Sequence, residues 1–273
     1  MPRLKAPPHS CDSHIHVYDD RFPVAPTATF PPPAGKGVRE YRAVQQALGL
    51  ERVVVVQPTT YGFDNACTLD AIAKLGAGAR GVATVPPDVT DGELERLTKG
   101  GICGARFFML KSAILSWDTL PSLAARVAEH GWFVQVQFDG REFQKYEKIV
   151  ARFPGQIMID HNGKFLEPVP VNDPAFQSFL RLLDVGRVWT KLAAPYETSK
   201  TGAPHYEDVS KLTRALVKAN PERCVWASSW PHVNTKPTPD DAAMLDMLLE
   251  WADDDATRRK ILVDNPAKLF GYD

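Results

Sequence analysis

The 273-residue sequence predicts an α/β fold, a single (β/α)8 barrel, and three observations carry that expectation. Eight short apolar or β-branched runs alternate with segments whose apolar residues recur every three or four positions, the signature of amphipathic helices. The runs are nearly continuous in apolar character, as strands of a parallel sheet covered by helices must be. Eight such units in about 250 residues is the size of a TIM barrel. No Gly/Ser linker, low-complexity tract or internal repeat divides residues 1–273, so one domain is expected. A doubly wound open sheet is the alternative; it calls for a Gly-rich turn after the first strand, and none is present.

In chain order, the first strand is expected at 11–17, where His14 and His16, two apart, project from one face. The Pro-rich segment from Phe22 to Gly37 is too irregular for a helix and is expected to cover one mouth of the barrel or pack over an edge. Helical spacing follows at 40–49, then a strand at 52–57 with four consecutive valines. Helix and strand alternate through 66–75 and 81–85, 91–99 and 103–107, 119–130 and 132–137, 141–152 and 156–160, 174–184 and 187–192, 206–219 and 223–228. Helical segments at 239–251 and 255–263 close the chain.

Composition limits the function. The chain is 44% hydrophobic and 24% charged, with a formal net charge of −1 and no long basic run, which argues against nucleic acid or a membrane surface as partner. A small molecule is the expected partner, and a homo-oligomer is compatible with the sequence. No stretch approaches ~18 consecutive apolar residues and the N-terminus lacks an apolar secretory core, so the expected location is cytoplasmic. Cys11, Cys67, Cys103 and Cys224 are far apart, form no CxxC and sit in or beside apolar segments, so reduced, buried thiols are expected.

Barrel enzymes carry their chemistry at the C-terminal ends of the strands. Read in order, those ends hold His14 and His16, Gln57 with Thr59 and Thr60, Arg106, Gln137 with Asp139, Asp160 and His161, Lys191, then Ser228, Ser229 and His232. One polar strand end is ordinary strand termination, and a lone HxH suits a pair of core-edge histidines. Several histidines, an arginine and a lysine on a single rim point instead to a site.

These residues resemble the amidohydrolase superfamily, in the amidohydrolase-2 branch that includes 2-pyrone-4,6-dicarboxylate lactonases and galactarolactone isomerases. The resemblance runs nearly end to end: Asp12 to His16, Val55 to Gln57 with Asp64 and Asn65, Gly104 to Arg106, Asp160 to Lys164, Trp226 to His232, and Asn265, Pro266 and Leu269. The run Gln137 to Gly140, Lys164, and Tyr196 to Ser199 look closer to the isomerases. Two departures matter. Ser229 stands where the family usually has a general-base aspartate, and Ser112 and Lys164 stand where the pyrone lactonases have arginines.

The resemblance implies acyl transfer at the carbonyl of a small carboxylated lactone, by isomerisation or hydrolysis. His14, His16 and His161 would polarise the carbonyl oxygen, where one preorganised donor is worth about 3–4 kcal/mol. The base would be a histidine or Asp160, with Ser229 at the position of the missing carboxylate. Arg106 would hold a substrate carboxylate as a bidentate pair, with Gln57, Thr59, Gln137, Lys164, Lys191 and His232 as further substrate contacts. A metal-free site is expected; should zinc or manganese bind, His14, His16 and His161 are its ligands. A divalent-metal hydrolase or decarboxylase of the same superfamily and a catalytically inactive lactone- or carboxylate-binding barrel are the alternatives.

Overall fold

In the computed structural model, which describes residues 1–272, eight parallel strands follow one another around a barrel in chain order. They are β1 (Cys11–Ile15), β2 (Arg52–Val56), β3 (Ala79–Ala83), β4 (Ile102–Phe108), β5 (Phe133–Gln137), β6 (Ile157–Ile159), β7 (Val188–Leu192) and β8 (Cys224–Trp226). Between them lie α1 (Val38–Leu48), α2 (Ala66–Leu75), α3 (Asp91–Lys99), α4 (Leu120–Glu129), α5 (Phe143–Val150), α6 (Pro174–Asp184) and α7 (Glu207–Ala219). The seam between β1 and the exit of β8 is joined by two backbone bonds: Ser229 N–H donates to His14 O at 3.1 Å, and His16 N–H donates to Trp230 O at 2.9 Å. Asp12 locks the same seam, its carboxylate accepting from Ser228 N–H at 2.9 Å, Ser228 Oγ–H at 2.6 Å and the Tyr41 hydroxyl at 3.1 Å.

Alternation along the strands builds the lumen in rungs. The lower rung is apolar: Phe133, Met158, Trp189 and Val225 pack with Val54, Val56 and Val82, and Phe270 and Tyr272 close the floor. Burying each large side chain there contributes roughly 1.5–3 kcal/mol. Two residues further along β5, β6 and β7 the same face presents Gln135, Asp160 and Lys191, all fully buried. On β4, Gly104 leaves room for the Phe133 ring, which an added Cβ would meet at 2.7 Å. The next residue on that face is Arg106. The polar rung and the site above it therefore rest on a close-packed floor.

The expected strands and helices are found, with shifts that have local causes. β1 ends at Ile15, and its pairing with β2 shifts register between Asp12 and Ile15. β3 starts two residues earlier than the apolar run suggested; Arg80 is tolerated because its guanidinium leaves the sheet to bond Gly271 O and stack over Tyr272. The segment expected as one helix over 239–251 is two, α8 (Asp241–Asp246) and α9 (Leu248–Trp251). After α10 (Asp255–Arg259), a π-helical turn over Lys260–Asp264 leads into α11 (Asn265–Phe270). Among the described residues no helix is long and apolar enough to cross a membrane.

Candidate active site

A pocket of about 230 Å³ opens at the C-terminal ends of the strands, lined by His16, Thr59, Arg106, Gln137, His161, Lys164 and Ser229 among the residues singled out from sequence. Tyr18, Ser112 and Glu197 also line it, and Thr29 and Phe30 from the Pro-rich segment form part of its cover. The loops that deliver these groups carry left-handed backbone at His161, Asn162, Lys164, Ala194, Ser229, His232 and Asn234, none of them glycine. Such conformations cost about 1–3 kcal/mol each and persist where the surroundings fix them. Asn162 shows how: its amide donates to Ala193 O at 2.8 Å and accepts from the Thr213 hydroxyl at 3.1 Å. Gly163 has no such latitude, since at φ +84° an added Cβ would strike the Phe179 ring at 2.8 Å.

Beneath the pocket runs a directed hydrogen-bond chain. The Lys191 ammonium hydrogen-bonds Gln135 Oε1 at 2.6 Å and His14 Nδ1 at 3.0 Å and forms an ion pair with Asp160 Oδ1 at 3.1 Å. Gln135 Nε2 donates to the other Asp160 oxygen at 2.9 Å. With Nδ1 of His14 accepting, the ring proton lies on Nε2, which meets His16 Nε2 at 3.2 Å; His16 in turn donates from Nδ1 to Val56 O at 2.8 Å. These tautomers are assigned from the partners.

Burial holds all three histidines neutral. It drives His14 well below its ordinary range, with Lys191 adding to the effect; it lowers His16 to about 3, reinforced by Arg106; and it lowers His161 well below, although Asp160 opposes. Burial raises the Asp160 carboxyl, but Lys191 and the neighbouring cations outweigh it and the net shift is downward. Asp160 is therefore a committed carboxylate that fixes Lys191 and, through it, His14.

Arg106 is 5% exposed, and burial depresses its guanidinium. Nη1 donates to Gln57 O at 2.8 Å and Nη2 to Gln137 Oε1 at 3.3 Å, while Nε has no partner. The ring of Phe108 lies 5.1 Å from the guanidinium carbon. Among the described residues no carboxylate forms an ion pair with Arg106, although one forms with Lys164: that ammonium, pushed down to about 8 by burial, pairs with Glu197. Glu197 is the one carboxylate that lines the pocket.

The structure engages five of the expected site residues in contacts of their own. Gln57 does not face the pocket: its amide donates to Gly62 O and Asp64 O and accepts from the Thr68 hydroxyl, latching the loop after β2. Lys191 is fully buried in the polar rung below, among Gln135, His14 and Asp160, and does not line the pocket. His232 has both ring nitrogens taken, Nδ1 by the Tyr196 hydroxyl and Nε2 by Asp241 Oδ1, each at 2.8 Å. His14 is fully buried behind His16, and the proton of each ring points at the next member of the chain, so neither presents a donor to the pocket. His161 does line the pocket, and its Nδ1 has no partner. Sequence reading missed Glu197, Tyr18 and Gln135 as site residues; for Gln135, the alternation with Gln137 along β5 (FVQVQ) was the available signal.

The donor set has one feature that suits a divalent ion and others that oppose it. The His14 and His16 Nε2 atoms, 3.2 Å apart, match the ~3.3 Å separation of two nitrogens on a tetrahedral ion with bonds of about 2.0–2.1 Å. Yet His14 meets Asp160 on its other nitrogen, Nδ1, at 3.7 Å, and that nitrogen already accepts from the Lys191 ammonium. The cluster of His14, Asp160 and His161 thus has its carboxylate committed to Lys191. Arg106 and Lys164 add two more positive charges to the surroundings of His14.

The same architecture recurs in known proteins. D-galactarolactone isomerase of Agrobacterium fabrum (strain C58) is 33% identical over 273 residues, covering 98% of this chain and 93% of its own. An apo crystal structure from Agrobacterium tumefaciens superposes with a TM-score of 0.94 at 33% identity, covering 99% of this chain and 98% of the other. A structure from Acinetobacter baumannii, assigned as a 2-pyrone-4,6-dicarboxylic acid hydrolase and holding citric acid, superposes with a TM-score of 0.85 at 25% identity, covering 96% and 99%. The family described as Amidohydrolase matches residues 11–272, so the chain belongs to the amidohydrolase family.

Proposed function

We propose that the protein is a metal-independent enzyme that transfers the acyl group of a small carboxylated lactone, chiefly to a hydroxyl of the substrate itself. The observation that carries this reading is Arg106, a buried guanidinium that opens into the pocket without an ion-pair partner. An unpaired buried charge is costly, and a ligand carboxylate is the group that satisfies its fork. Galactarolactone and citric acid, named for the relatives, both carry carboxylates.

With the carboxylate on Arg106, the lactone carbonyl lies toward His161, whose neutral ring can stabilise the oxygen as charge develops on it. A hydroxyl attacks the carbonyl carbon, the ring C–O bond breaks, and the leaving oxygen takes up the proton. A substrate hydroxyl is favoured over water because the strand-eight exit offers Ser229 in place of a carboxylate, and Glu197 is tied to Lys164. A tethered nucleophile needs less help.

The test is a panel of D-galactarolactone, 2-pyrone-4,6-dicarboxylate and 4-sulfomuconolactone followed by NMR with chelator-treated protein. Ring migration of D-galactarolactone, the lactone of the three with free hydroxyls, is expected at full rate. Turnover that requires added zinc or manganese would select the metal-dependent alternative. Binding without turnover of any lactone would select the inactive one.

A further inference from the structure

We propose that Glu197 is a specificity residue: by matching the charge of Lys164 it leaves one positive charge open in the pocket, so the site prefers a lactone with a single carboxylate and hydroxyls over one with two anionic groups. The inference rests on the lactone reading above, which admits both kinds of substrate, and narrows it.

The charge count follows from the pocket wall. Three charged side chains line it: Arg106 and Lys164 carry one positive charge each, and Glu197 carries one negative charge. At pH 7, below the value of about 8 to which burial brings it, Lys164 is an ammonium. The two histidines on the wall, His16 and His161, are held neutral by burial. Asp160 and Lys191 in the rung below form an ion pair and balance each other. Among the described residues Arg106 has no carboxylate partner, whereas Lys164 is paired with Glu197. One positive charge is left for a ligand.

The pair is built into the loops that carry it. The Lys164 side chain is 7% exposed and that of Glu197 31% exposed, so the ammonium is the buried partner and the carboxylate the one that meets solvent. The Lys164 backbone is held on both sides: at φ +50° its N–H donates to His161 O at 2.8 Å, and its carbonyl accepts from Gly140 N–H at 3.0 Å. Glu197 stands in a single helical turn, Pro195–Glu197, whose exit is pinned by Ser199. That residue donates from N–H to Pro195 O at 3.0 Å and from Oγ to Asp208 Oδ1 at 2.5 Å. A second anionic group on a ligand would therefore have to share Lys164 with Glu197, bringing two negative charges to one ammonium. Such like-charge contacts are how a site turns away a wrong partner. The remaining polar wall, with Thr59, Ser112, Ser229 and Asn234, is uncharged and suits hydroxyls.

The test uses the full chain and two open-chain hydroxy acids, D-galactonate and galactarate. Neither has a ring to turn over, and they differ only in that a hydroxymethyl group of the first is a second carboxylate in the other. Calorimetric titration of the wild type at pH 7 should show galactonate bound about 10–100-fold more tightly than galactarate. Glu197→Gln, which keeps the shape and removes the charge, should shift that ratio about tenfold or more toward galactarate, because Lys164 then accepts the second carboxylate. Lys164→Met/Glu197→Gln, which removes the ammonium as well, should lose that gain. A merely structural Glu197 would change both affinities by the same factor, so an unmoved ratio in folded Glu197→Gln overturns the proposal. A wild type that binds galactarate as tightly as galactonate overturns it without any variant. If Arg106→Met then loses both anions, the carboxylate reading of the site stands and the charge count alone fails. Binding of neither acid would refute that reading and this inference with it.

Discussion

Replacing Arg106 by methionine separates a ligand-binding role from a structural one, because the two roles predict opposite signs for stability. Of the five N–H groups of a guanidinium, two are engaged, with Gln57 O and Gln137 Oε1, which leaves three for a ligand. Truncating one partner of a buried, hydrogen-bonded charge pair costs about 2–5 kcal/mol. At about 1.4 kcal/mol per decade, carboxylate affinity should fall roughly 30- to 4,000-fold. Unliganded stability should respond differently. Losing Arg106 leaves Gln57 O without that donor, a cost of about 1–3 kcal/mol. It also removes an unpaired buried charge whose desolvation penalty is several kcal/mol. The net is neutral to stabilising, and Tm should hold or rise by a few degrees. Calorimetric titration with citrate and D-galactarolactone, beside an uncharged lactone as control, measures the first quantity, and thermal unfolding without ligand measures the second. Unchanged citrate affinity together with a Tm several degrees lower would refute the argument and make Arg106 a barrel brace.

Other perturbations follow from the same geometry. Ser229→Asp should raise lactone hydrolysis by about 10²–10⁴-fold, the usual contribution of a general base; a folded variant whose hydrolysis rate by NMR matches wild type would place the base elsewhere. Burial lowers Lys191 to about 8, so between pH 8 and its ordinary value near 10.5 the unfolded chain binds more protons than the folded one, and stability should rise with pH across that window by about 3 kcal/mol. Denaturant midpoints should show that rise in wild type and a flatter profile in Lys191→Met; parallel profiles would contradict it. Asn162→Ala removes both bonds that hold a left-handed residue and should cost about 2–4 kcal/mol, read as a lowered unfolding midpoint.

Periodicity made most of the barrel legible. The helices expected at 66–75, 91–99 and 174–184 are found with those bounds, since each begins and ends on a sharp change of pattern. Two of them start at side-chain caps: Thr90 accepts from Glu93 N–H, and Asp173 accepts from Ala175 N–H ahead of Pro174. The closing segments were less legible because α8 and α9 divide at Met247 and a π-helical turn interrupts the last helical run, neither of which apolar spacing encodes. At the site, strand-end position identified the rim but not the rung. Lys191 and Arg106 both stand on lumen-facing positions, yet Lys191 lies inside the polar rung and Arg106 opens to the pocket. The difference depends on β5 and the end of β6 packing Gln135 and Asp160 around the ammonium carried by β7, a convergence across 56 residues of sequence. Tyr196 and Asp241 meet at His232 from 36 and 9 residues away, through loops whose left-handed residues sequence spacing does not reveal.

The balance between ring migration and hydrolysis turns on two magnitudes. A missing general base costs about 3–5 kcal/mol in either reaction, given its usual 10²–10⁴-fold contribution. Only the tethered reaction has a compensating term: a hydroxyl already held within the substrate can recover about 7–11 kcal/mol when the bound geometry places it near attack. A substrate carboxylate held on Arg106, as proposed above, in a pocket that Ser229 lines from the opposite strand end would supply that restriction. Water gains nothing from the clamp. Absence of a strand-eight carboxylate therefore slows both reactions alike, and the tethered one alone keeps a compensating gain, so ring migration is the reaction expected to stay fast at a site that offers Ser229 there.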